Sequence, residues 1–184
     1  MTDKMVNGIL LIIAGLGSIV AYIALGETGL LDAGHTEKFA AYALLTLPIA
    51  FMMIKNVTRN TYIDAGLIII VVGLSIGLVS DAINSAELGG ESDLIGEAIA
   101  WTGWSIMYLG ISITGIGYLR TDLFPNWLSG LLTVASFAMF AFLAFSTTEI
   151  LTNNGDNIVP PLWGINSLVL VILGIFTIRR EELD

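Results

Sequence analysis

The chain has 184 residues, of which 55% are hydrophobic and only 12% charged, with a mean hydropathy of +0.86. A soluble domain carries about 25% charged residues, so composition excludes a soluble globular protein, and the apolar excess excludes a disordered one. Seven basic against sixteen acidic residues give a net charge of −9, there is no cysteine, and His35 is the single histidine; these exclude a nucleic-acid partner, thiolate chemistry, and multi-histidine metal or haem centres built from this chain alone.

A bilayer core about 30 Å thick needs roughly 20 apolar residues of helix. Six stretches reach that length or come close. The first covers residues 6–25 and follows the basic Lys4. Its apolar run exceeds the roughly 7–15 residues of a signal-peptide core. Ala21 and Ala24 also miss the A-x-A spacing, so a retained helix is expected. Gly17 and Ala21 give it a small-residue stripe suited to close helix contact. A breaker cluster, Gly26-Glu27-Thr28-Gly29, ends it.

Asp32, His35 and Glu37 follow. They are weak candidates for a metal site, because zinc centres usually add further Cys or His ligands. A solvated loop is the plainer reading. The second span, residues 39–54, is the shortest, and Pro48 is expected to kink it. The third covers residues 65–83, where Leu67-Ile68-Ile69-Ile70-Val71-Val72 does not alternate. That pattern favours helix over a transmembrane barrel strand. Gly73-x-x-x-Gly77 marks another close contact.

An acidic patch surrounds the Gly89-Gly90 turn: Asp81, Glu87, Glu91, Asp93 and Glu97. Its spacing matches no EF-hand loop. The fourth span, residues 94–119, carries Glu97, Trp101, Ser105, Tyr108 and Ser112 at helical spacing on one face. This stripe is either a cavity wall or an aromatic belt with packed hydroxyls. Phe124-Pro125-Asn126-Trp127 opens the fifth span, residues 128–145, which holds Ala138, Ala141 and Ala144. Asn153-Asn154-Gly155-Asp156 and Pro160-Pro161 predict a loop before the sixth span, residues 161–178. Asn166 lies deepest in that span; a bond across helices is expected, with a solute contact as the alternative.

Six spans put both termini on one side. With the termini placed in the cytoplasm, Lys4, Lys55, Arg59, Arg120, Arg179 and Arg180 are inside and only Lys38 is outside. This is a positive-inside bias. The inner acids, Asp3, Asp64, Asp122, Glu181, Glu182 and Asp184, balance the inner bases, so the net negative charge falls on the outer face.

The expected fold is therefore an all-α, six-helix membrane bundle over residues 1–184 in one domain, in the cell membrane. The expected role is a non-catalytic accessory or structural subunit that packs against other membrane subunits or itself. The alternative is a small-solute or ion transporter or channel with an acidic outer mouth, drawing cations or a basic partner. Its contacts would come from Glu97, Trp101, Ser105, Tyr108, Ser112 and Asn166. The reading leans away from an enzyme, and no cofactor is expected. Asp64 and Asp81, for example, stand about 25 Å apart on one helix at 1.5 Å per residue, too far for an aspartyl dyad.

Overall fold

The computed structural model describes residues 2–86 and 88–180. Glu87, Glu181, Glu182 and Asp184, counted in the charge balance above, lie outside the described residues, as does the side chain of Asp156.

Helix α1 runs Asp3–Ile19 and continues as a π-helical segment, Val20–Gly26. Helix α2 (Ala33–Leu44) starts at Asp32, whose carboxylate accepts the His35 backbone N–H at 2.7 Å. That bond satisfies one of the free donors at a helix start. Helix α3 (Thr46–Val57) follows after a single residue. Helix α4 (Thr61–Asn84) is capped by Asn60, which accepts from Tyr62 N–H at 2.8 Å. Helix α5 (Glu91–Tyr118) leaves the Gly89-Gly90 turn, where both glycines hold positive φ, 71° and 64°, that a side chain would resist. Glu91 and Asp93 then place negative charge at its positive end. Helix α6 is Asn126–Phe145 and α7 is Thr148–Arg179.

Among the described residues, six helical stretches are long and apolar enough to cross a membrane: Asp3–Gly26, Ala33–Val57, Thr61–Asn84, Glu91–Tyr118, Asn126–Phe145 and Asn157–Arg179. Five contain the span expected from sequence, the fourth ends at Tyr118, one residue short of the expected 94–119, and the fold is that of a polytopic helical membrane protein. The break between α2 and α3 falls at Leu45, three residues before Pro48. Pro48 has no N–H for the carbonyl of Leu44, so the ladder opens there. Beside the break the Thr46 hydroxyl shares its hydrogen between Ala43 O at 2.7 Å and Leu10 O on α1 at 3.0 Å, tying the break to α1.

One local expectation is corrected. Residues 153–161 do not form a loop; α7 runs through them and through Pro160-Pro161. The Thr147 hydroxyl starts this helix by accepting from Ile150 N–H at 3.3 Å. The two prolines remove donors only for carbonyls one turn earlier, at the start of the membrane-crossing part. There water can bond to them, so the helix need not end.

The spans form a closed up-and-down ring. Each packs against its neighbours in sequence, and α1 closes on α7. The most extensive pairing is α4 with α5. At the end that holds the termini, the Lys4 ammonium donates to Arg180 O at 3.0 Å, Lys55 pairs with Asp64 at 3.1 Å, and the Arg120 guanidinium lies 4.4 Å over the Tyr62 ring. The interior of that half is packed shut. Leu11, Leu47, Phe51, Ile63, Tyr118, Leu128 and Leu132 are fully buried, and the Tyr118 ring meets Phe124 at 5.1 Å. Ile68, Val134 and Phe137 face outward, as lipid contact requires.

Candidate functional site

The other half of the ring is not packed shut. A cavity of about 220 Å³ lies there, and all six spans contribute to its wall. Part of its lining is apolar, with Leu44, Met107, Met139 and Leu143. Its sides are aromatic. Trp101, Trp104 and Tyr108 come from one face of α5 at spacings of three and four, as helical geometry dictates. Trp163 comes from α7 and Tyr22 from the π-helical segment; their rings meet edge to face at 6.1 Å. The wider π turn is set by bonds such as Glu27 N–H to Tyr22 O at 2.9 Å. Such turns recur at functional sites. Trp104 can lie against α4 because Gly77 has no side chain; a Cβ there would stand 2.7 Å from the indole.

Asp81 and Ser18 are among the polar side chains that line this cavity without a partner among the described residues. Asp81, on α4, is 8% exposed, and its carboxylate has no hydrogen bond or ion pair among the described residues. The Ser18 hydroxyl, on α1, is buried and likewise unpaired. Buried polar groups are normally bonded, and a buried carboxylate without a partner is costly. Lys38 borders a separate groove on the other side of Asp81, but it is exposed and makes no ion pair with it.

A second hollow, about 530 Å³, opens beside the first and is lined by Glu37, Asn84, Asp93 and Glu97 among others. Glu37 joins the two spaces: the Tyr22 hydroxyl donates to its Oε2 at 2.6 Å. The carboxylates of Glu37 and Asp81 are close enough to repel one another.

The residues singled out in the sequence therefore divide. Trp101 and Tyr108 line the cavity, and Glu97 lines the acidic hollow. Ser105 donates to Thr102 O at 2.8 Å within α5, and Ser112 donates to Thr133 O on α6 at 3.1 Å. Asn166 is fully engaged. Its amide donates to Ala135 O at 3.2 Å and Leu162 O at 2.8 Å, and its carbonyl accepts from Ser136 at 2.7 Å. It clasps α7 to α6.

Asp32 and His35 pair with each other, Nδ1 lying 2.7 Å and 2.8 Å from the two carboxylate oxygens. The bond from the His35 backbone N–H, and then the ring contact, hold the Asp32 carboxyl below the usual carboxylate range. Glu37 instead bonds Tyr22, so the three are not gathered, and among the described residues no three such side chains converge on a metal position.

Sequence reading missed Tyr22, Ser18, Trp163 and the inward role of Asp81. One signal was available. Asp81 precedes the end of an apolar span, and an ionisable residue inside a span points to function.

The small-residue stripes of α1 and α4 are used within the chain, whereas on α6 Ala138 and Ala141 are half-buried and Ala144 is exposed. Gly17 faces Ala43, and Gly73 and Gly77 face Met107, Gly103 and Trp104. No family model matches the chain, and no curated protein or solved structure is significantly similar to it.

Proposed function

We propose that this protein is a small-solute transporter that receives its solute in the cavity enclosed by the six-span ring. The observation that carries this reading is the wall itself. Every span contributes to it, and it includes a carboxylate and a hydroxyl left unpaired in a membrane interior. The glycine contacts of α1 and α4 are met by the chain's own helices, while Gly130 on α6 and Gly164 on α7 face open space, so small-residue packing does not decide between a carrier and an accessory subunit. On the charge bias, the termini lie in the cytoplasm and the acidic hollow opens to the outside. The packed half, around Phe51 and Tyr118, is then the closed inner gate.

Because the chain has no cysteine, accessibility tests it directly. Ser18→Cys should react with a small water-soluble methanethiosulfonate. Ser136→Cys, inside the dry α6–α7 clasp, should not. If Ser18→Cys stays unreactive while the exposed Thr28→Cys reacts, the cavity is not a solute site. A carrier also exposes its site to both sides in turn. Labelling of Ser18→Cys from the outer side only, with none in inverted vesicles, would reduce the reading to a binding protein. A reporter domain at the C-terminus should be protected from protease in intact cells; digestion there would reverse the orientation.

A further inference from the structure

We infer that the cavity binds a small organic cation, an amine or quaternary ammonium, held against the indoles of Trp101, Trp104 and Trp163 with Asp81 as its counter-ion. This rests on the solute-cavity reading above and names the class of solute.

Three observations converge. The first is the wall chemistry. Three of the four tryptophans of the chain line one cavity, together with Tyr22 and Tyr108. An aromatic face carries a negative quadrupole that attracts cations, and tryptophan does so most strongly. The second is charge. Asp81 is buried against the same space and lacks a partner among the described residues, and no basic side chain lines the cavity. A cation supplies the missing charge, and an anion would add to the repulsion already present between Asp81 and Glu37. The third is the approach. Glu37, Asp93 and Glu97 line the adjoining hollow, and a cleft of one sign concentrates the opposite ion at its mouth.

Other occupants fit less well. A hard metal cation takes about six or more oxygen ligands, whereas this wall is aromatic and aliphatic with few oxygens. A volume of about 220 Å³ lies below the ~300–1,000 Å³ of pockets for drug-sized ligands, so the ligand is small. The Tyr22–Glu37 hydrogen bond lies between hollow and cavity, and an arriving ammonium group can exchange with it.

The tryptophans supply the readout. Trp127 is the one outside the cavity, 57% exposed beside Phe176. In a Trp127→Phe background, emission reports the cavity indoles alone. The purified full chain is titrated with tetramethylammonium, choline and n-butylammonium, and with the uncharged isostere of choline in which tert-butyl replaces trimethylammonium. A saturable change is expected with at least one cation and none with the isostere. Asp81→Asn should weaken binding by about tenfold or more. Trp163→Leu, which keeps the buried charge, should weaken it by roughly three- to tenfold, so the inference stays testable if Asp81→Asn fails to fold.

Equal binding of choline and its isostere overturns the cation assignment and leaves an apolar solute cavity. No response to any cation, with Ser18→Cys still reactive, overturns the assignment alone. No response together with an unreactive Ser18→Cys overturns both readings. Undiminished binding in a folded Asp81→Asn chain removes the carboxylate from the site.

Discussion

The α4–α5 pairing is the most extensive in the ring, and a single methyl group tests it. At Gly103 an added Cβ would stand 2.5 Å from Gly77 N, 2.9 Å from Gly77 Cα and 3.0 Å from Ile76 C. All three are backbone atoms, so no side chain can swing aside. To reach ordinary contact at 3.4 Å the helices must part by most of an ångström. That motion also opens the close approach at Gly110, where an added Cβ would stand 2.6 Å from Ile70 N. Overpacking of this kind costs about 1–3 kcal/mol, and rigid backbone on the facing helix argues for the upper end. Alanine recovers about 1 kcal/mol of helix propensity over glycine. Gly103→Ala should therefore lose roughly 2 kcal/mol.

Gly130, in the second turn of α6, is the control. Nothing lies within 4 Å of its added Cβ, so Gly130→Ala should gain about 0.5–1 kcal/mol. Unfolding in mixed micelles with rising dodecyl sulfate, followed by far-ultraviolet circular dichroism, resolves a gap of this size. Gly103→Ala at or above wild-type stability would refute the close α4–α5 approach. Because Trp104 follows Gly103 and lies on Gly77, the same variant should also weaken choline binding.

Asn166→Leu removes two bonds between α6 and α7 and strands the Ser136 hydroxyl. Interhelical bonds in membrane proteins average about 0.6 kcal/mol and reach about 1.7, so a loss of roughly 1–2 kcal/mol in the same unfolding assay is expected, with choline binding unchanged. Loss of binding at equal stability would place Asn166 in the solute path. Asp32 has a carboxyl held below its ordinary range by His35. Its capping stability is therefore full above the ordinary aspartate pKa and lost as pH falls through the lowered one. Asp32→Ala should flatten that acid-side loss in a series of thermal melts; an unchanged slope would dissociate the cap from the acid sensitivity.

The spans were legible because lipid imposes one rule on all of them: about 20 apolar residues with internal backbone bonding. Local signals within them worked where the competing term was also local. Pro48 predicts a kink because it withdraws a donor that only its own helix could use, and the structure goes further, with α2 ending at Leu44. Pro160-Pro161 predicts a loop and fails, because there the freed carbonyls lie where water can serve them. The cavity was half legible. Trp101 and Tyr108 share a face that periodicity reveals. Tyr22, Ser18 and Trp163 join them only through ring closure, and that depends on α1 meeting α7, elements far apart in sequence.

The distribution of unpaired polar groups links fold to function. Along the α6–α7 seam and at the Thr46 break, buried polar groups find partners: Asn166 makes three bonds and the Thr46 hydroxyl shares its hydrogen between two carbonyls. Asn7 Oδ1, the Tyr118 hydroxyl and Ser129 Oγ are buried elsewhere without partners among the described residues, but Asp81 and Ser18, on helices α4 and α1, both line one space walled by aromatic rings. A bundle selected for packing alone would gain by replacing both with apolar side chains, since an unpaired buried group costs about 1–3 kcal/mol and more when charged. A ligand that completes the bonding for part of the working cycle would offset that cost. A group that is charged, small and compatible with indole faces does this for both at once: a cation for the carboxylate, with an attached hydroxyl or N–H for the serine.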